Sequence, residues 1–86
     1  MTDTRIDKWL FHARFYRTRA LAQAAAGAGR VRLNGTRVEK PAQAVRPGDF
    51  LVLGKGRELL TLRVLALAER RGSAREARAL YEIVAD

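Results

Sequence analysis

The sequence predicts an α+β fold: two short helices packed on a small, mostly antiparallel sheet, with a further helix near the C-terminus. Three observations predict it. Apolar residues recur at helical spacing through the first third of the 86-residue chain. From Val31 they alternate with a period of two around an Asn34-Gly35 turn. Finally, Ser73-Ala74-Arg75-Glu76 forms a capping box ahead of another helically spaced run.

The elements follow in order. Thr4, with Asp7 three residues on, resembles a capping box and predicts a first helix from about Arg5. At 100° per residue Ile6, Trp9, Leu10 and Ala13 share one face, which assigns Trp9 to the core, while Arg5, Lys8 and His12 align as a basic edge. Phe15-Tyr16-Arg17 reads as a connector. Thr18 caps a second helix that runs through the alanines to Gly27, with Gly27 and Gly29 as its stop. Leu21, Ala24, Ala25 and Ala28 form its expected packing side, and Arg19, Ala22, Gln23 and Ala26 the other. Helices this short are marginal in water alone, so both must be packed and their cations held in a fixed pattern.

The remainder reads as sheet. Val31 and Leu33 alternate with Arg30 and Arg32, Asn34-Gly35 is a hairpin turn, and Thr36-Arg37-Val38-Glu39 returns. Pro41 closes that strand. Pro47-Gly48-Asp49 turns into Phe50-Leu51-Val52-Leu53, an apolar run expected to be buried. After a turn at Gly54-Lys55-Gly56-Arg57, a longer strand with two partly covered faces is expected through Leu59–Leu67. The capping box at Ser73 then opens a third helix in which Ala77, Leu80, Tyr81 and Val84 have helical spacing. No repeat or linker interrupts the chain, so one domain over 1–86 is expected, with a core motif at about 5–53 and the strand and last helix at 58–86.

Composition and charge bound the function. No apolar run approaches the ~20 residues that span a bilayer, and Met-Thr-Asp-Thr has no apolar signal region behind it. The chain lacks cysteine, so neither a disulfide framework nor a thiolate metal site is expected, and the cytoplasm is the expected compartment. Residues 1–48 hold ten Lys/Arg against three acids, a net +7, whereas residues 49–86 hold seven against six, a net +1. A regional excess of this size points to a polyanionic partner more than to a merely solvated surface.

Two short helices, a basic strand with an Asn-Gly turn, then Lys40-Pro41 and Pro47-Gly48-Asp49 before an apolar strand resemble the S4-type RNA-binding domain, or αL motif. Within it, Arg5-Ile6-Asp7-Lys8-Trp9-Leu10 and Ala13-Arg14-Phe15-Tyr16-Arg17-Thr18-Arg19-Ala20-Leu21-Ala22, with Arg70-Arg71, Glu76-Ala77 and Leu80-Tyr81-Glu82, are similar to the fifteen-kilodalton bacterial heat-shock group. Ala42 stands where that group tends to carry a serine. The resemblance implies a protein that binds ribosomal RNA on the large ribosomal subunit; a monomer without enzymatic activity is expected. It further implies stalled subunits that carry nascent-chain peptidyl-tRNA, in rescue and recycling under heat stress. A ribosome-quality-control cofactor of the same domain family is the nearest alternative.

The residues agree with a binding surface. Arg5, Lys8, Arg14, Arg17 and Arg19 can surround an RNA backbone, Thr18 adds a hydroxyl, and the start of the second helix offers free N–H groups to phosphate. Gln23 lies one turn on, and Arg30 and Arg32 extend the surface along the first strand. Asn34 and Lys40 read equally as binding residues or as a turn residue and an edge-strand charge. Of Phe15 and Tyr16, one packs inward while the other stacks on a base or sugar; His12 is placed to touch RNA. No cofactor, metal site or catalytic residue is expected: the chain has one His and one Ser, with no nucleophile paired to a base. The helix pair also fits a DNA-binding helix-turn-helix, although only Arg19 and Gln23 of the second helix would reach base edges.

Overall fold

A computed structural model describes residues 2–84. It contains, in chain order, β1 (Thr4–Arg5), α1 (Ile6–His12), α2 (Arg19–Gly27), β2 (Val31–Leu33), β3 (Thr36–Arg37), β4 (Ala44–Val45), β5 (Phe50–Lys55), β6 (Glu58–Val64), α3 (Ala74–Arg78) and β7 (Tyr81–Ile83). Five strands form an antiparallel sheet in the order β3-β2-β5-β6-β7, and β1 pairs separately with β4. The two N-terminal helices lie on one side of the sheet. Ile6, Trp9 and Leu10 of α1 and Ala22, Ala25 and Ala26 of α2 share a single core with Val31, Leu51, Leu53, Leu62 and Val64.

Each element has a local reason, and several depart from the sequence reading. The apolar face of α1 is the expected one: Ile6, Trp9, Leu10 and Ala13 are all buried. Its start is not. Thr4 lies in a strand opposite Val45, and the first helical N–H groups go instead to the carbonyls of Gln43 and Pro41, at 2.8 and 3.2 Å. The loop 40–43 thus satisfies donors that a side-chain cap would otherwise take. Thr18 does cap α2, accepting from Leu21 N–H at 3.1 Å.

The packing side of α2 is rotated from the expected one. Ala22, Ala25 and Ala26 are buried, whereas Leu21 is 52% exposed and Ala24 and Ala28 face outward. The buried side meets Ile6, Trp9 and Leu10 in the core, and Arg19, at the helix start, lies beside Asp7 of α1.

The sheet is covered on one face only. Leu51 and Leu53 are buried, but Phe50 on the opposite face of β5 is 45% exposed and Leu59 of β6 is 73% exposed, so β5 is not enclosed as its apolar run predicted, while β6 has the partly covered faces expected of it. The C-terminal helix is also shorter than expected. Ser73 caps it, accepting from Glu76 N–H at 3.2 Å, yet it ends at Arg78. Tyr81–Ile83 then pairs with β6. A free sheet edge offers backbone partners that a single turn of helix does not, and Leu80 fixes the crossover by accepting from Leu65 N–H at 2.8 Å.

Trp9 joins these layers. Its ring is fully buried, its indole N–H donates to Ala66 C=O at 2.9 Å, and Phe15 stacks near it with centroids 6.2 Å apart. Replacing Trp9 by Ala is expected to cost about 3–5 kcal/mol in denaturant unfolding. Trp9→Phe, which keeps an aromatic ring but strands the Ala66 carbonyl, is expected to cost about 1–3 kcal/mol.

Candidate nucleic-acid interface

Asp7 organises the cationic surface. Its side chain is completely buried, and Arg5 grips it with two hydrogen bonds of 3.1 Å, Nε to Oδ1 and Nη2 to Oδ2. Its own helix contributes Lys8 N–H at 2.8 Å. Arg19 Nε lies 3.6 Å from Oδ2, too long for a good hydrogen bond. This nitrogen is buried with no hydrogen-bond partner, so its link to Asp7 is coulombic. Two guanidinium groups share one carboxylate, which leaves a net positive charge where β1, α1 and α2 meet. Burial alone would raise the Asp7 carboxyl, but Arg5, Gln23 and the Lys8 N–H more than offset it, so its pKa is held below the ordinary value.

The structure places the other sequence-derived residues unevenly. Lys8 and Arg17 border the bend between the helices, and no acid pairs with either among the described residues. Thr18 is exposed beside them. Gln23, one turn further along α2, faces Asp7. Arg14 turns the other way. With φ of 65° it occupies the left-handed region, and it donates to Gly72 C=O at 2.7 Å, so it braces the C-terminal loop against the bend. Lys40 is exposed in the loop that caps α1.

Arg30 lies beyond α2. With Tyr16, Leu21, Ala24, Ala25 and Ala28 it borders a shallow groove of about 310 Å³. Tyr16 is half-buried and its hydroxyl is unpartnered. Burial pushes that hydroxyl above its ordinary pKa, against the opposing charge of Arg30. Against the expected one-in, one-out arrangement, Phe15 and Tyr16 are both partly buried against the core, and Phe15 packs on Tyr81 with centroids 4.6 Å apart.

Three expectations are corrected. His12 is not on a basic edge: it is buried, and its Nδ1 faces Ala68 C=O at 3.1 Å, which identifies that nitrogen as the N–H donor. Asn34 is committed to the turn, its amide donating to Asp49 at 3.1 Å and accepting from Phe50 N–H at 2.9 Å. Arg32 belongs to the face of the sheet away from the helices, opposite Arg37 and Val52.

Two cations outside the expected surface support the bend. Arg71 donates to Phe11 C=O at 3.3 Å and to Tyr16 C=O at 3.4 Å, with its guanidinium 4.7 Å from the Phe11 ring centre. Lys55 donates to Phe15 C=O and lies 5.2 Å from the Tyr16 ring centre. Both come from distant segments, and no local pattern marks them. Among the described residues, no group of three or more His, Cys, Asp or Glu could hold a metal ion, and no helix is long and apolar enough to cross a membrane.

Acid should loosen this arrangement in two stages. Burial lowers the His12 pKa, with Lys8 and Arg19 adding to the effect against the Ala68 hydrogen bond. The unfolded chain therefore takes up a proton first, and stability falls as pH drops below about 6.5. The contribution of Asp7, whose folded pKa is depressed, is present above about pH 4 and is lost as pH falls through its lower folded value. Unfolding measured from pH 8 to 3 should show both declines. Because His12 is the sole histidine, His12→Asn should remove the first decline and leave the second.

The comparisons with known proteins agree with this geometry. The S4 domain model matches residues 4–51. Heat shock protein 15 of Escherichia coli is 44% identical over 84 residues, 98% of this chain and 62% of that protein. The homolog from Aeromonas salmonicida is 44% identical over 94% of this chain and 61% of its own length. The chain thus spans about three fifths of these relatives. The RQC P-site tRNA stabilizing factor of Listeria monocytogenes is 32% identical over 96% of this chain and 88% of that protein. Among solved structures, Vibrio cholerae heat shock protein 15, described as trimeric, superposes with a TM-score of 0.90 at 38% identity, covering 96% of this chain and 83% of that one. The helix pair, the Asn-Gly hairpin and these matches together place the chain in the S4 domain family.

Proposed function

We propose that this chain is a non-enzymatic, cytoplasmic RNA-binding protein that docks on ribosomal RNA of the large subunit through the cationic bend between α1 and α2. The observation that carries the reading is the fixed, incompletely neutralised cluster of Arg5 and Arg19 on one buried carboxylate, with Lys8 next to Asp7 in the chain and Arg17 two residues before Arg19. Preorganised guanidinium groups match phosphate geometry and lose little entropy on binding. The likeness to heat shock protein 15 favours a role under heat stress, and the family resemblance of the sequence adds stalled subunits that carry nascent-chain tRNA as the proposed target.

A second reading within the same class is favoured by the Listeria relative. Its name refers to P-site tRNA, and this chain covers most of its length. In that reading the bend faces tRNA in ribosome quality control. A DNA-reading helix-turn-helix fits less well. The outward side of α2 presents Ala20, Leu21, Ala24 and Ala28, while Arg19 and Gln23 are turned to Asp7, so no long polar side chain of the helix is left to read base edges. A monomer is the stoichiometry proposed for binding, in contrast to the trimeric Vibrio relative.

The double substitution Lys8→Ala/Arg17→Ala should weaken binding to a hairpin RNA while leaving the melting temperature nearly unchanged, since neither side chain has an acidic partner among the described residues. It should also reduce the slope of log K against log salt by about 0.7 to 0.9 for each phosphate no longer neutralised. An unchanged slope would reject the surface. Co-sedimentation with separated ribosomal subunits should place the chain on the large particle, more strongly when peptidyl-tRNA is present. Equal association with both subunits would reject the ribosomal assignment.

A further inference from the structure

The face of the sheet that carries no helix has its own chemistry. Strand register sets Arg37, Arg32, Val52 and Thr61 side by side across β3, β2, β5 and β6. Phe50 and Arg63 stand opposite each other in the next row. None of the six belongs to the core cluster, and Phe50 and the three arginines are exposed.

Phe50 is held in place rather than merely left outside. Its N–H donates to the Asn34 side chain at 2.9 Å and its C=O accepts from Asn34 N–H at 2.8 Å. The guanidinium of Arg63 lies 5.8 Å from the centre of its ring. Glu82 stands directly opposite Arg63 on β7, yet among the described residues no ion pair joins them.

Arg32 and Arg37 face each other across the hairpin. Like charges in that position destabilise a strand pair, and among the described residues neither has an acidic partner. A bound anion would relieve the repulsion. An acidic peptide would satisfy the two arginines but make no particular use of the aromatic ring beside a third. A nucleotide chain uses both, since every base has a stacking face and every linkage a phosphate.

We propose that this open face binds a short single-stranded RNA segment, with a base stacked on Phe50 and Arg63 and the backbone phosphates held by Arg32 and Arg37. From β3 to β7 the face spans about 19 Å at ordinary strand spacing, room for two or three bases on a sheet platform. The surface lies across the sheet from the bend and uses none of Arg5, Lys8, Arg17 or Arg19. The chain therefore has two independent RNA-binding surfaces, one for structured RNA and one for an unpaired strand.

The test uses the whole chain with two labelled probes, an oligouridylate and a hairpin RNA, read by fluorescence anisotropy. Phe50→Ala should weaken oligouridylate binding roughly 5- to 150-fold and leave hairpin binding unchanged, while Phe50→Tyr should restore it. Arg32→Ala/Arg37→Ala should weaken the same probe and flatten its salt dependence, which keeps the proposal testable should the Phe50→Ala protein not fold. Lys8→Ala/Arg17→Ala should spare oligouridylate, so that failure of the bend reading is distinguishable from failure of this one. Photocrosslinking with 5-iodouridine should yield an adduct at Phe50. Oligouridylate affinity unchanged in both open-face variants would overturn the proposal. So would a Phe50→Ala protein with altered sedimentation but unaltered RNA affinity, because the face would then serve association between copies of the chain.

Discussion

The buried carboxylate of Asp7 is the constraint on which the arrangement of the N-terminal half depends. A carboxylate out of water must be paired, or it takes up a proton. Here the pairing partners come from three elements: Arg5 of β1, the Lys8 N–H of α1 and Arg19 of α2. Satisfying one acid therefore ties β1, α1 and the start of α2 together at one point. It also holds two arginines on the surface in defined places. Arg5 and Arg19 stay partly exposed, so solvent tempers the strength of each pair. The geometric consequence is larger than the energetic one.

Around this centre the distant parts of the chain act as braces. The loop 40–43 supplies carbonyls to the start of α1. The segment after β6 receives the Trp9 and His12 rings through Ala66 and Ala68, while Arg14 and Arg71 tie the bend to the loop around Gly72. A bend with a residue in the left-handed region would otherwise be a soft joint. With anchors on both sides it becomes a rigid support for the charges next to it.

Much of this is legible in the sequence wherever the cause is local. The core face of α1, the Thr18 and Ser73 caps and the Asn34-Gly35 hairpin follow from spacing and from turn chemistry within a few residues. What cannot be read there is set by partners far along the chain. Asp7 resembles a capping residue and His12 part of a basic edge, because nothing nearby announces Arg19 or the Ala68 carbonyl. β7 resembles a helix because Leu80 and Val84 keep a helical interval, whereas the open edge of β6 decides the conformation between them. The run Phe50–Leu53 reads as enclosed because hydropathy does not record that one side of the sheet lacks a covering layer. Charge counting marks the basic half of the chain, but it treats arginines with different duties alike: Arg14 braces, Arg32 lies on the other face, and Lys8 and Arg17 have no acidic partner among the described residues.

The most direct measurement is the affinity of an Asp7→Asn variant for a hairpin RNA at fixed salt, with folding verified at the same temperature. The substitution raises the net charge by one while removing the anchor that orients Arg5 and Arg19. If preorganisation governs binding, affinity falls despite the added positive charge. If affinity instead rises in step with net charge, the Asp7-centred account is wrong, and the surface acts only as a diffuse cationic patch.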